Sequence, residues 1–241
     1  MALFDHEKTY RSRVNSSYMR IARIVQGIIA RHTRPDGSID DQAAMMKELD
    51  AYGSQIEAWA KDFWGQMLPQ QQKLLARDWK KTGVRIPPHS PQVQAAIAAA
   101  QAEQVDLIKT LPRAAGEKAQ EMAEKAALAT GDRAESLIAQ MQGLKPGYPE
   151  YAARRLARTE IAKSQSLLVA AQAKDAGATH YVWCTAEDEA VRPEHAALDG
   201  QIFRFDDDSD KDGKGCRAPG QIWQCRCYAR PLLPDEVRKE D

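Results

Sequence analysis

The chain has 241 residues, 43% of them hydrophobic, so it can bury the core of one large domain or two small ones. Its 34 basic side chains equal its 34 acidic ones, which excludes a uniformly basic protein drawn onto DNA or an anionic membrane. The opening "MALFDHEKTY" lacks the charged start and apolar run of a secretory signal, and no later apolar stretch approaches the roughly 18 residues of a membrane span. We therefore expect a protein made and kept in the cytoplasm, with no membrane partner.

The charge is unevenly distributed along the chain. Residues 1–89 hold fourteen basic and ten acidic side chains, whereas residues 181–241 hold nine basic and fourteen acidic ones. A contact with nucleic acid would therefore come from the front half, and the basic residues between 8 and 34 are the candidates for it.

The first predicted segment, residues 1–88, is helical. Residues 5–31 and 39–80 show apolar side chains at helical spacing, separated by the turn signal "TRPDGSID". The aromatic residues in this segment favour core packing over a partner-binding face; they are Trp59, Phe63, Trp64 and Trp79. The stretch "RIPPHSPQ" carries three prolines that block helix continuation, so it marks a domain boundary.

The second predicted segment, residues 89–149, is a row of short helices. It is rich in Ala, Gln and Glu and is interrupted by "TLPRAAGE" and "ATGDRAE". Pro112 begins one helix, and Thr130, Gly131 and Asp132 begin another, because proline suits the first turn of a helix and capping-type residues precede each new periodicity.

The third predicted segment, residues 150–234, begins with the clearest helix and ends in strands; a short tail, 235–241, follows. Apolar or small residues of the helix recur at three- and four-residue spacing, and Gly177 ends it. The predicted core face consists of Ala153, Ala157, Ile161, Ser164, Leu168 and Ala171. Three short strands follow, "THYVWC", "QIFRF" and "IWQCRCYAR". The fold class is therefore α+β: mostly helical N-terminal and middle regions, then a small β-containing C-terminal domain packed on a helix.

Five soft or borderline metal ligands fall in this last segment: Cys184, His195, Cys216, Cys225 and Cys227. They suffice for a structural zinc site of three thiolates and one imidazole. Cys225 and Cys227 would point to opposite faces of a regular strand, so both can bind one metal ion only if the backbone bends between them. Reduced, partly buried thiols and a disulfide formed after release from the cell remain open alternatives. No other cofactor is indicated.

The turn-rich stretch "CTAEDEAVRPEHAALDG" allows two interpretations. Asp188, His195 and Asp199 are the residue types of a metal-dependent nuclease or other hydrolase. Alternatively, Asp188 bonds nearby backbone N–H groups, and Asp199 with Gly200 makes the tight entry to the next strand. His195 is then a buried hydrogen-bonding group or a metal ligand.

The acidic stretch "DDDSDKDGKG", residues 206–215, has the alternating aspartates of a cation-binding loop. It lacks the closing Glu of an EF-hand, so we predict a solvated, mobile loop instead of a calcium site.

Four motifs in a fixed order resemble the phage Mu F family of head morphogenesis proteins, which is related to the minor head protein of phage SPP1. They are "LIKTLPRAAGEKAQEMAEKAALATGDRAESLIAQM", "RRLARTEIAKSQ", "YVWCTAEDEAVRPEHAALDG" and "APGQIWQCRCYARP". The resemblance covers roughly residues 104 to 231 and implies a non-enzymatic minor component of a tailed-phage head. Such a protein is associated with the portal vertex in few copies, and in some members it takes part in DNA packaging or exit.

The resemblance also singles out residues. Arg158, Thr159 and Glu160 correspond to the helix motif of the family. Asp188, His195, Asp199 and Gly200 correspond to its turn motif, and Cys225, Arg226 and Cys227 to its terminal motif. Many relatives carry a His-Pro-Asn type sequence before the final Cys-Arg-Cys, whereas this chain has "IWQ", which removes one metal ligand.

We therefore predict a minor capsid or head morphogenesis protein of a tailed double-stranded DNA phage. Its expected partners are the portal protein, the major capsid or scaffolding protein, and packaged DNA. Its expected locations are the host cytoplasm during assembly and then the virion head. The alternatives are the hydrolase described above and a DNA-binding accessory protein. We also expect Glu160 to form a buried ion pair with Arg226 or Arg192.

Overall fold

A computed structural model describes residues 7–81 and 90–233 of the chain. The helices in these ranges are α1 (Glu7–Arg31), α2 (Gln42–Lys81), α3 (Pro91–Lys109), α4 (Leu111–Leu128), α5 (Asp132–Met141), α6 (Tyr148–Asp175) and the single turn α7 (Pro193–Ala196). The strands are β1 (His180–Thr185), β2 (Ile202–Arg204) and β3 (Cys227–Leu232). The predicted α+β class is confirmed. The prolines at 87 and 88 and the side chain of Trp79 lie outside the described residues.

The chain divides into two compact units, and each is discontinuous in sequence. The helical unit comprises residues 12–63 and 103–157. The sheet unit comprises residues 1–11, 64–102 and 158–241. The predicted segments 1–88, 89–149, 150–234 and 235–241 are contiguous stretches of sequence, and their boundaries stay a prediction.

The helical unit is built on the periodicity that the sequence shows. Val14, Tyr18 and Val25 of α1 are fully buried, as are Met45 and Leu49 of α2. Helix α4 packs closely on α2 because position 116 is a glycine. A Cβ atom there would lie 2.6 Å from side-chain atoms of both Leu49 and Met46. The predicted breaks near Pro112 and Asp132 are confirmed, since α4 and α5 begin at Leu111 and Asp132.

The sheet unit contains a three-stranded antiparallel sheet in the order β2-β1-β3. Trp183 at its centre pairs with Ala229 and is completely buried. The core around it consists of Tyr181, Trp183, Leu198, Cys216, Cys225, Cys227 and Ala229, with Val169, Phe203, Phe205 and Ile222 packed against it. The thiols are thus part of the hydrophobic core of this unit.

Helix α6 buries most of the predicted face. Ala153, Ala157, Ile161, Ser164 and Leu168 are buried. Ala171 is only half-buried, whereas Gln172 and Ala173 beside it are fully buried. The buried stripe drifts around the helix because 3.6 residues per turn do not match a strict repeat of the predicted positions. Gly177, with φ of +81°, follows the end of the helix as predicted.

Across residues 7–81 and 90–233, we find no helix with the length and apolar character that crossing a membrane requires.

Candidate functional site

The backbone bends between Ile222 and Cys227, where the sequence predicts a strand. Cys225 donates its N–H to the carbonyl of Ile222 at 3.1 Å, and Gln224 adopts the left-handed φ of +53°. Strand β3 therefore begins only at Cys227, so the predicted start of this strand at residue 222 is wrong. A regular strand would have pointed Cys225 and Cys227 to opposite faces, but the bend lets both sulfurs reach the same centre.

Both sulfurs lie next to the imidazole of His195. Its Nδ1 lies 3.5 Å from Sγ of Cys225 and 3.3 Å from Sγ of Cys227. All three residues are buried, with His195 only 1% exposed. Pro193 opens the single turn α7 that presents His195, and the edge of Trp183 packs on the imidazole ring at a centroid distance of 5.6 Å. The ring is thereby held by packing as well as by polar contacts.

Asp212 contacts the opposite side of the imidazole. Its Oδ2 lies 3.1 Å from Nε2 of His195, and both side chains are 1% exposed. Its Oδ1 accepts the backbone N–H groups of Lys214 at 2.8 Å and Cys216 at 3.0 Å. Burial works to raise the pKa of Asp212, but the N–H groups of Cys216 and Lys214 and the contact with His195 outweigh it and hold the pKa below its ordinary value. The carboxylate therefore accepts a hydrogen bond from Nε2–H, and the lone pair of Nδ1 faces the thiols.

The sequence interpretation missed Asp212, because it treated residues 206–215 as a solvated loop. That prediction is wrong for Asp212 and for Lys211, whose side chain is 3% exposed. Lys211 donates to backbone carbonyls of Asp207 and Ser209 and lies 5.7 Å above the ring of Phe203. Short polar side chains that bond to backbone N–H groups two or three residues on give this loop a defined shape, and the "Asp-Lys-Asp-Gly" sequence at 210–213 was the available signal.

The two clustered thiols titrate as a pair. The hydrogen bond with Cys227 lowers the pKa of Cys225, helped by the backbone N–H of Gly220, which lies 3.3 Å from its sulfur. The same bond from Cys225, together with burial, raises the pKa of Cys227. Burial also raises the pKa of Cys216 to about 12. Thiolate is the form that binds metal ions, so the lowered pKa of Cys225 favours metal binding there.

Four of the five predicted metal ligands fall in two groups that share His195, and Cys184 is in neither. Ligand atoms of His195, Asp212 and Cys216 lie within 4.8 Å of one another, and so do those of His195, Cys225 and Cys227. Within residues 7–81 and 90–233, these are the groups of three or more residues that could hold a metal ion. Cys184 is half-buried in β1 and lies 3.7 Å from the carbonyl of Val182.

The register of the sheet explains why Cys184 is separate. Thr185 is the residue opposite Cys227, so Thr185 and Cys227 share a face of the sheet. Cys184 precedes Thr185 in the same strand and therefore faces the other way.

The residues of the hydrolase interpretation do not converge. Asp188 forms an ion pair with Arg226 and accepts the N–H of Ala190 at 3.1 Å. Asp199 accepts the backbone N–H of Thr185 at 2.6 Å. Neither carboxylate is in a metal-binding group with His195. These contacts match the turn interpretation of the same residues.

Gly200 completes the turn before β2. Its φ is +78°, which favours glycine, and its N–H donates to the carbonyl of Trp183 at 2.8 Å. This bond ties the turn to the centre of the sheet.

Thr159 in α6 supports the bend that carries Cys225. Its Oγ1 accepts the backbone N–H of Gln224 at 3.1 Å, and the Thr159 side chain is buried. Gly220 lies close to the same helix: a Cβ atom there would be 3.0 Å from the carbonyl oxygen of Ala162. The helix motif and the terminal motif are therefore in direct contact.

The other residues of these motifs are also placed. Arg158 is exposed and Glu160 is completely buried. Arg226 donates to Asp188, and Arg192 donates to the carbonyl of Trp223 at 2.7 Å. An ion pair of Glu160 with either arginine stays a prediction.

Comparisons with known proteins cover much of the chain. Residues 118–230 match the family described as "Phage Mu protein F like protein". A curated relative from Haemophilus influenzae, which carries the name "Uncharacterized protein", is 28% identical over 239 residues. The match covers 95% of this chain and 49% of the relative, so the chain spans about half the length of the curated relative it matches. No solved structure matches the chain significantly.

Proposed function

We propose that this chain is a minor structural protein of a tailed-phage head that acts at or near the portal vertex. Its residues 118–230 match the phage Mu F-like family of head morphogenesis proteins. The family match carries this proposal. It spans α5, α6, the turn before β2, the bend at Gln224 and most of β3, so it includes every element of the buried cluster.

The contacts of the motif residues support a structural role. Asp199 bonds the backbone of β1, Thr159 bonds the backbone of the bend, and Asp188 pairs with Arg226. Each of these polar groups satisfies a partner inside the sheet unit instead of projecting into an open cleft. Such contacts specify a rigid shape, which suits a protein that must fit between other components.

The same contacts support the proposal of a non-enzymatic role. A hydrolase of the predicted kind needs Asp188, His195 and Asp199 around one ion, whereas both carboxylates bond other groups. Purified protein should therefore leave linear double-stranded DNA intact when Mg²⁺ or Mn²⁺ is added. Cleavage that is lost in His195→Ala would support the hydrolase instead.

The proposed partners are the portal protein first, then the major capsid or scaffolding protein, and packaged DNA. The proposed location is the host cytoplasm during assembly and the virion head afterwards. A role in DNA packaging or ejection belongs to the same proposal, because a component near the portal lies on the path of the DNA.

The test is to place the chain in assembled particles. We would delete its gene from the phage or prophage that encodes it, restore it with an epitope-tagged copy, and purify heads from both strains. Quantitative mass spectrometry should find the tagged chain in few copies per head, and lysine cross-linking should join it to the portal protein.

The control is the matched variant pair Thr159→Val and Thr159→Ser. Valine removes the acceptor for the N–H of Gln224, and serine keeps it, so serine should restore infectious particles better than valine. Normal titres without the gene, or absence of the chain from purified heads, would contradict the proposed role. Copies as numerous as the major capsid protein would contradict the portal location.

A further inference from the structure

We propose that His195, Cys225, Cys227 and Cys216 bind one zinc ion in the core of the sheet unit, with Asp212 orienting the histidine from behind. The ion would be bound by Nδ1 of His195 and three sulfurs. This proposal rests on the geometry of the cluster and stands apart from the role in the phage head.

The spacing of the first three ligand atoms fits a tetrahedral ion. Zinc binds nitrogen at about 2.0 Å and sulfur at about 2.3 Å, which at a tetrahedral angle separates N from S by about 3.5 Å. The distances from Nδ1 to the sulfurs of Cys225 and Cys227 are 3.5 Å and 3.3 Å. An ion could enter between these three atoms with little movement of the side chains.

Hydrogen bonds use the lone pair of Nδ1 for only one of the two sulfurs. The contact of Nε2 with Asp212 places the ring proton on that nitrogen, so Nδ1 has one lone pair and faces two sulfurs. One S–H group can use that lone pair, whereas the second sulfur has its hydrogen bonds elsewhere, as Cys225 has with Cys227 and the N–H of Gly220. A metal ion uses the lone pair and both sulfurs together.

Asp212 supplies the outer contact that metal-bound histidines usually have. A carboxylate on the distant ring nitrogen sets the tautomer and raises the basicity of the nitrogen that binds the metal. Asp212 is itself held by the backbone N–H groups of Lys214 and Cys216. It therefore positions both His195 and the segment that carries Cys216.

Cys216 completes the proposed ligand set; it groups with His195 and Asp212 and not with the other two sulfurs, so its side chain would move toward them when the ion binds. Its sulfur lies within 4.8 Å of ligand atoms of His195 and Asp212, and its side chain is completely buried beside the other thiols. Three thiolates and one imidazole favour zinc over magnesium or calcium, which prefer oxygen. Four protein ligands leave no open position, so the site is structural and not catalytic.

The ion would join segments that are distant in sequence. His195 comes from α7, Cys216 from the loop after β2, and the other two cysteines from the bend and the start of β3. Sulfur of Cys225 already accepts the N–H of Gly220, which would stabilise its thiolate in the complex. Zinc would therefore fix the positions of α7, the loop after β2 and the start of β3 relative to one another.

The first experiment measures zinc in full-length protein made without a polyhistidine tag and purified without a metal column. We expect about one zinc per chain in the wild type. Cys184→Ser is the matched control, because Cys184 faces away from the cluster, and it should keep the metal. His195→Ala and Cys227→Ser should lose it. Wild type that takes up no zinc under reducing conditions, or equal loss in Cys184→Ser, would overturn the proposal.

Cobalt substitution tests the ligand set. Co²⁺ in place of zinc should give the intense thiolate-to-metal absorption of a tetrahedral site, weaker in Cys216→Ser than in Cys184→Ser. Unchanged absorption in Cys216→Ser would overturn its assignment as the fourth ligand. Asp212→Asn should keep the site but weaken zinc affinity about 10- to 100-fold, as for other outer contacts.

A third experiment alkylates the cysteines of the wild-type protein, so its outcome does not depend on whether a variant folds. Zinc would protect three of the four cysteines, so a chelator should release three thiols to a reagent that otherwise reaches only Cys184. Burial alone predicts that the chelator changes nothing, and that result would overturn the proposal. So would a disulfide between Cys225 and Cys227 in protein prepared under reducing conditions.

Discussion

The helical unit and the sheet unit are stabilised by different kinds of contact. In the part of the chain that the structure describes, the buried polar side chains are Gln71, Gln72, Ser90, Gln104, Thr159, Glu160, Ser164, Gln172, Thr185 and His195. Of these, only Gln104 belongs to the helical unit. The helical unit relies on apolar packing with ion pairs at its surface, whereas the sheet unit also needs specific buried partners. Removing a polar group should therefore cost more in the sheet unit, although removing an apolar one costs both units alike.

The largest expected effects come from apolar truncation, which should not distinguish the units. Trp183→Ala in the sheet unit should lower the free energy of unfolding by about 3–5 kcal/mol, and Leu49→Ala in the helical unit by about 2–5 kcal/mol, since both side chains are completely buried. Urea denaturation in the presence of a chelator would measure both. Ile202→Ala is the control: its side chain is 45% exposed and should change the value by only about 0.5 kcal/mol. If only one of the two variants lost stability, apolar burial would not stabilise the two units alike.

Loss of the Asp199 carboxylate should have a smaller effect than either apolar truncation. Asp199→Ala removes the acceptor for the N–H of Thr185 and should cost about 1–3 kcal/mol. Asp199→Asn keeps an acceptor and should cost less. Asp206→Ala is the control, because its carboxylate bonds the exposed side chain of Arg204. Equal denaturation midpoints for Asp199→Ala and Asp206→Ala would show that the part-buried contact of Asp199 with the N–H of Thr185 adds no stability.

The close approach of Gly220 to α6 can be tested by substituting two glycines separately. Gly215 and Gly220 both have positive φ, +95° and +87°, so alanine strains the backbone at either position. Only at Gly220 would the new Cβ meet backbone, the carbonyl oxygen of Ala162 at 3.0 Å; at Gly215 it meets nothing within 4 Å. Both should lose about 1 kcal/mol through strain, and Gly220→Ala about 1–3 kcal/mol more through overpacking. Thermal denaturation of the two variants would measure the difference, and equal midpoints would contradict the close approach.

The helices could be predicted from the sequence, but the contacts between distant segments could not. Apolar periodicity located α1, α2 and α6 within a few residues, because a repeat of 3.6 needs only local sequence. The family resemblance singled out Thr159, His195 and Cys225, but no local pattern shows that Thr159 accepts the N–H of Gln224.

The cluster of side chains around His195 shows the same limit. Cys184 was expected among the ligands because it is a cysteine, yet the pleat of β1 turns it away. Asp212 was left out because its neighbours are acidic and polar, yet a series of side-chain bonds to backbone turns it inward. Both outcomes depend on register and on long-range contacts, which residue type alone does not contain.

The smallest expected effect concerns ion pairs at the surface of the helical unit, where losing a polar contact should cost the least stability. Hydrogen bonds from Lys118 and then Lys125 lower the pKa of Glu121 to about 2. Because this pKa is lower in the folded chain than in the unfolded one, the contribution is complete above the ordinary value of 4.5 and is lost as the pH falls toward 2. The Glu121 side chain is 44% exposed, so salt screens both pairs and Glu121→Gln should hardly move the denaturation midpoint at pH 7. NMR titration of the Glu121 carboxyl would measure its pKa directly. A large loss of stability in Glu121→Gln would mean that surface ion pairs hold the helical unit, which would reverse the contrast with the buried contacts of the sheet unit.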